Sequence, residues 1–175
     1  MSRWNSVIGG WALALVLCGP AGSASAAPGG RTMKPDQVNV EGWDKAWTNL
    51  VNNVQQTFVP SLPRLTAVEV ELVVGNPGPA KDELTLTILD ADRKEVAAVT
   101  QMIPAADCER ALFLIPDGGV DVIPGETYSI RLAGETTFGW KYAVGGYPTG
   151  AATFNGKPLL AKTRSTFLFR TFGSD

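Results

Sequence analysis

The chain has 175 residues, 45% of them hydrophobic and 18% charged, with 15 basic against 17 acidic side chains, two cysteines and no histidine. Without histidine there is no Ser–His–Asp or Cys–His nucleophile and no imidazole zinc site. A formal charge of −2 supplies no basic field for nucleic acid or an anionic membrane surface, and the length is that of one domain.

Residues 1–26 read as a secretory signal. Arg3 precedes the apolar run 7–17, and Ala24-Ser25-Ala26 gives the small-x-small cleavage pattern. That run is well short of the ~20 apolar residues a spanning helix needs. The mature chain is therefore expected to be extracytoplasmic, periplasmic or secreted, with no membrane insertion after cleavage. Leu17 stands where a lipidation box needs a small residue, so Cys18 leaves with the leader. Cys108 then has no partner for an internal disulfide and is read as a buried small hydrophobe. Cleavage removes Arg3 and no acid, leaving 14 basic against 17 acidic side chains, or −3.

Residues 27–37, rich in Gly, Pro and polar groups, are read as a flexible lead-in, and 38–175 as a single domain. Trp43, Ala46, Trp47, Leu50, Val51 and Val54 recur at helical spacing and predict a short helix, although Gly42 and Asn49, Asn52 and Asn53 are poor helix formers. An irregular edge strand is the alternative. Beyond this point a period of two dominates. Val68, Val70, Leu72 and Val74 alternate with Glu69 and Glu71, and Leu84, Leu86 and Ile88 with threonines. Tyr128, Ile130 and Leu132 form a third set, and Phe138, Trp140, Tyr142 and Val144 a fourth. Strands with one buried and one wet face follow. Asn76-Pro77-Gly78-Pro79, Asp90-Ala91-Asp92, Pro116-Asp117-Gly118-Gly119, Pro124-Gly125 and Asn155-Gly156 supply turns between them. The expected fold is all-β: an antiparallel, jelly-roll-like β-sandwich of eight or nine strands, with an immunoglobulin-like topology as the alternative.

Val122-x-Pro124-Gly125-x-x-Tyr128 matches the tyrosine-corner pattern, in which the Tyr hydroxyl bonds back to upstream backbone. Gln56-Thr57-Phe58-Val59-Pro60, Leu65-Thr66-Ala67-Val68-Glu69-Val70, the strand around Trp140, the Gly145-Gly146-Tyr147-Pro148 loop and the closing Phe167–Gly173 segment join that corner in a further likeness. Together, over residues 55–173, they resemble bacterial exported jelly-roll modules of the galactose-binding or carbohydrate-binding-like type. The resemblance implies a non-catalytic sandwich that in some cases binds sugar, tethering an enzyme to its polymer; here the domain is expected to stand alone, which departs from that tethering role.

Little else carries chemistry. Glu69 and Glu71 share a strand face about 7 Å apart, near the separation of glycosidase carboxylates, but the pattern places them in water rather than in the buried cleft a catalytic acid needs. Asp90-x-Asp92 resembles the start of a calcium loop, yet Lys94, Glu95 and Gln101 occupy positions an EF-hand needs for a ligand, a glycine and a glutamate. No cofactor is expected; a structural calcium held by Asp107, Glu109, Asp117 or Asp121 is the one candidate. Gly118-Gly119 and Gly145-Gly146 lack phosphate-loop spacing, and no Ser lies in a G-x-S-x-G elbow. Aromatic rings remain. Trp140, Tyr142 and Phe138 are expected in the core, and Trp43 and Trp47 over an open sheet edge. Tyr147, in a glycine-rich loop, is the candidate sugar platform, with Lys141, Asn155 and Arg170 as polar partners; Tyr128, Pro124, Gly125 and Trp140 are structural. The expected function is a non-catalytic binding module for glycan, or a structural or interaction domain that meets another envelope protein. The mature chain should run as a monomer on non-reducing electrophoresis; a disulfide-linked dimer would make Cys108 an exposed thiol.

Overall fold

A computed structural model describes residues 33–175 apart from 51–52, 76–80, 106–108, 136–137 and 161–163. Residues 1–26, read as a signal, Cys18, the turn expected at Asn76-Pro77-Gly78-Pro79, Asp107 and Cys108 lie outside the described residues. Among the described residues there are fourteen strands and no α-helix. In chain order they are β1 (Lys34–Asn39), β2 (Trp43–Asn49), β3 (Val54–Phe58), β4 (Arg64–Val74), β5 (Lys81–Leu89), β6 (Glu95–Pro104) and β7 (Arg110–Leu114), then a 3-10 turn at Pro116–Gly118. There follow β8 (Val120–Asp121), β9 (Tyr128–Ala133), β10 (Phe138–Val144), β11 (Ala152–Phe154), β12 (Lys157–Pro158), β13 (Ser165–Phe167) and β14 (Phe169–Ser174).

The strands form two antiparallel sheets, the arrangement of a β-sandwich. The six-stranded sheet runs β12-β11-β3-β9-β5-β6. The eight-stranded sheet is built around β4, which carries β7 and β8 along one side. On its other side β4 pairs first with β14, from Arg64 to Val70, and then with β10, from Leu72 to Val74. β1 lies outside β14, β2 lies outside β10, and β13 continues beyond β4 along the same side of β10. The larger sheet is therefore forked.

Fourteen strands replace the eight or nine expected, because counting alternation cannot see where one run changes partner. The closing Phe167–Gly173 segment, expected as one strand, divides at Leu168. The turn expected at Pro116-Asp117-Gly118-Gly119 is a 3-10 turn, and Val120–Asp121 beyond it form a strand of their own, β8. The segment from residue 34, expected as lead-in and then as a helix or an edge strand, is two edge strands separated by residues 40–42. The helix expected over 43–54 is a strand through Asn49. Its weak helix formers gain little from local hydrogen bonds, whereas β10 offers a ladder from Gly139 to Val144.

Alternation places one face of each central strand in a common core. Val68, Val70 and Leu72 of β4, Leu84, Leu86 and Ile88 of β5, Ile130 and Leu132 of β9, and Phe138 and Trp140 of β10 are all fully buried within it. Trp140 stacks on Phe167 with centroids 4.4 Å apart, and its indole N–H donates to the Leu168 carbonyl at 2.9 Å. Tyr142 is only partly buried and meets Phe167 edge-on. At the corner, the Tyr128 hydroxyl accepts the Ile123 N–H at 3.1 Å, while Gly125, at φ +88°, donates its N–H to the Pro60 carbonyl at 2.9 Å. Tyr128→Phe keeps the ring against Phe58 but strips Ile123 of its partner. It should lower unfolding free energy by about 1 kcal/mol in a urea titration with an unchanged slope.

Candidate functional site

Tyr147 does not present a ring to solvent. It is 5% exposed, edge-on to Phe169 at 5.3 Å, and its hydroxyl donates to Gln37 Oε1 at 2.8 Å and accepts the Val59 N–H at 3.2 Å. The sugar-platform expectation is corrected on that ground. The glycine-rich loop turns inward, the ring gains apolar burial, and the hydroxyl finds partners on β1 and beyond β3. Around it runs a buried polar chain. Thr166 Oγ1 accepts the Tyr147 N–H and the Asn39 side-chain N–H, each at 3.1 Å. Gln56, from the smaller sheet, accepts the Phe167 N–H at 2.8 Å and so ties one sheet to the other. These bonds satisfy their groups internally, which is what a structural network requires.

The three polar residues expected beside Tyr147 are elsewhere. Asn155 (φ 51°) and Gly156 (φ 74°) form the two-residue β11–β12 hairpin turn, and Asn155 Oδ1 accepts the Asn53 N–H at 3.1 Å. Arg170 forms an ion pair with Glu69, directly opposite it on β4. Lys141 lies on β10. The loop acids serve turns: Asp90 Oδ1 accepts the Asp92 and Lys94 N–H groups at 3.0 and 2.9 Å. Asp121 pairs with Arg64 at 2.6 Å, and that guanidinium also bonds the carbonyls of Asp117, Gly118 and Gly119. Among the described residues no three potential metal ligands come together. A cleft of about 310 Å³ is lined by Ala151, Pro158, Leu159, Leu160 and Arg164 with no carboxylate.

What the sequence reading passed over is the outward face of the larger sheet. Trp47 on β2 stands directly opposite Lys141 on β10, so both side chains project from the same face. Trp140 is in the core, which puts Lys141 and Gly139 on the outside. The indole of Trp47 lies across Gly139 and Gly75. A Cβ on Gly139 would run into the ring, and one on Gly75 would stand 2.6 Å from Cη2. Both positions need glycine for this close approach. With one side on backbone, Trp47 remains 42% exposed. Farther along the face, Arg110 stands opposite Glu71, and Leu112, Glu69 and Arg170 form the next cross-strand row. Beyond them Leu114, Ala67, Phe172 and Pro35 make an apolar row, in which Leu114 is 48% exposed. A glycine inside the aromatic strand FGWKY was the signal available in the sequence, since a missing side chain there marks a surface another group lies on.

No protein-family model matches the chain, and no curated protein matches it in sequence. The site is therefore read from its own geometry. Gly139→Ala should destabilise the protein by about 1–3 kcal/mol through overpacking against the indole. In a Trp47→Ala background the same change should cost markedly less, and a double-mutant cycle in urea measures that coupling.

Proposed function

We propose that this protein is an exported, non-catalytic binding module whose ligand is carbohydrate, received on the outward face of the larger sheet. The observation that carries the reading is the Trp47 indole, laid across Gly139 and Gly75 and exposed on its other side. A flat ring held on backbone loses little conformational freedom when it binds, and its face suits the C–H surface of a pyranose. The cation beside it, Lys141, supplies a polar contact to hydroxyl or carboxylate oxygens. The likeness to carbohydrate-binding-like jelly rolls supports the same reading, with Trp47 rather than Tyr147 as the platform.

A second reading, a structural or interaction domain that meets an envelope protein, is favoured by the row Leu114–Ala67–Phe172–Pro35, flanked by Val38 at 49% exposure. Apolar side chains grouped in this way on an outer face are what a protein partner covers. Affinity electrophoresis through gels holding a panel of polysaccharides tests the first reading. Trp47→Ala should reduce retention by about tenfold, equivalent to ~1.4 kcal/mol, while Tyr147→Phe leaves it unchanged. Absence of retention by every polymer in the panel overturns the carbohydrate reading. Retention that survives Trp47→Ala moves the site away from this face.

A further inference from the structure

We infer that the Trp47 platform is built for an acidic sugar, one whose ring carboxylate meets Lys141 while its C–H face lies on the indole. The inference rests on the carbohydrate reading and narrows it to a ligand class. Its basis is the charge arrangement on this face. Glu69 is taken by Arg170, and Glu71 has Arg110 directly across the ladder. Lys141 forms no ion pair among the described residues. The rows that run from Arg110 and Glu71 through Leu112, Glu69 and Arg170 thus join Lys141 in setting three cations, Arg110, Arg170 and Lys141, against two carboxylates, Glu69 and Glu71. That local surplus stands on a chain whose formal charge is −2. Lys45, two residues before Trp47 on β2, turns its ammonium back to the Val40 carbonyl at 3.2 Å, which leaves Lys141 as the cation beside the ring.

Position makes this surplus selective. Lys141 and Trp47 are direct cross-strand partners, with Cβ atoms about 5 Å apart in such a pair. A pyranose ring is of the same size, so one sugar residue can reach both. The lysine is half-buried, so its stem is ordered by the sheet and its ammonium is the strongly hydrated point charge that a carboxylate meets end-on. A neutral sugar would gain the stacking and leave the charge unused.

Binding of the purified mature chain to polygalacturonate, alginate and methyl-esterified polygalacturonate, measured by isothermal titration calorimetry at low and physiological salt, tests this. The ester keeps the polymer and removes the charge. The acid polymers should bind about three- to fivefold more tightly than the ester, with the gap closing as salt rises. Lys141→Met should abolish that preference and leave ester binding intact, whereas Trp47→Ala should weaken all three. Equal binding of acid and ester, or a preference that survives Lys141→Met, overturns the acidic-sugar assignment while leaving the carbohydrate reading in place. Failure of wild-type protein to bind any of these or of the wider panel overturns both.

Discussion

The larger sheet forks at Leu168, and the way that fork is held decides what its outer surface can be. Residues 165–167 pair with β10 and residues 169–174 with β4, so the backbone at Leu168 leaves both ladders at once. Its groups are nonetheless paired. The Leu168 N–H donates to the Lys141 carbonyl at 2.9 Å, and its carbonyl accepts both the Glu71 N–H at 3.1 Å and the Trp140 indole N–H at 2.9 Å. Three strands are joined through the backbone of one residue and one core side chain. Because buried backbone groups cannot go unpaired without cost, this junction fixes where β10 stands beside β4. That in turn fixes where β2, with Trp47, stands beside β10.

The same junction separates two aromatic roles. Inside, Trp140 and Phe167 stack and bury their whole area, and Tyr147 is buried with its hydroxyl bonded to Gln37 of β1 and to the Val59 backbone beyond β3. Outside, Trp47 gives up less than full burial because its neighbours are glycines and its strand is an edge. The difference is one of environment. A loop tyrosine can move inward and satisfy its single polar atom, whereas an edge-strand tryptophan on the outward side of a ladder is held there by the pleat.

The wider face follows from the register. Rows across β7, β4, β14 and β1 alternate in character, from Leu114–Ala67–Phe172–Pro35 to Leu112–Glu69–Arg170–Val38. Ala67 is fully buried although it points outward, because Leu114 and Phe172 roof it from either side. The charged row next to it keeps this surface hydrated. The face is neither a uniformly polar sheet exterior nor a continuous apolar patch, and the two functional readings draw on its two ends.

The period of two in β4, β5, β9 and β10 was enough to establish an all-β chain with Val68, Leu86, Ile130 and Trp140 inside, since alternation and burial are the same fact on a half-buried sheet. The corner at Pro124-Gly125-x-x-Tyr128 was also legible, because its hydrogen bond closes within five residues. The partner change at Leu168, the choice between helix and edge strand at Trp43–Asn49, and the pairing of Trp47 with Lys141 were not. Each depends on residues far apart in the chain, such as Trp47 and Lys141 or Val70 and Phe169, and no local pattern encodes which ladder an edge segment will join. Local chemistry thus determined the kind of element and the composition of the core. Only the assembled sheets decided which ring was buried and which was left outside, because that choice rests on non-local hydrogen bonds and on glycines whose purpose appears only when another strand lies over them.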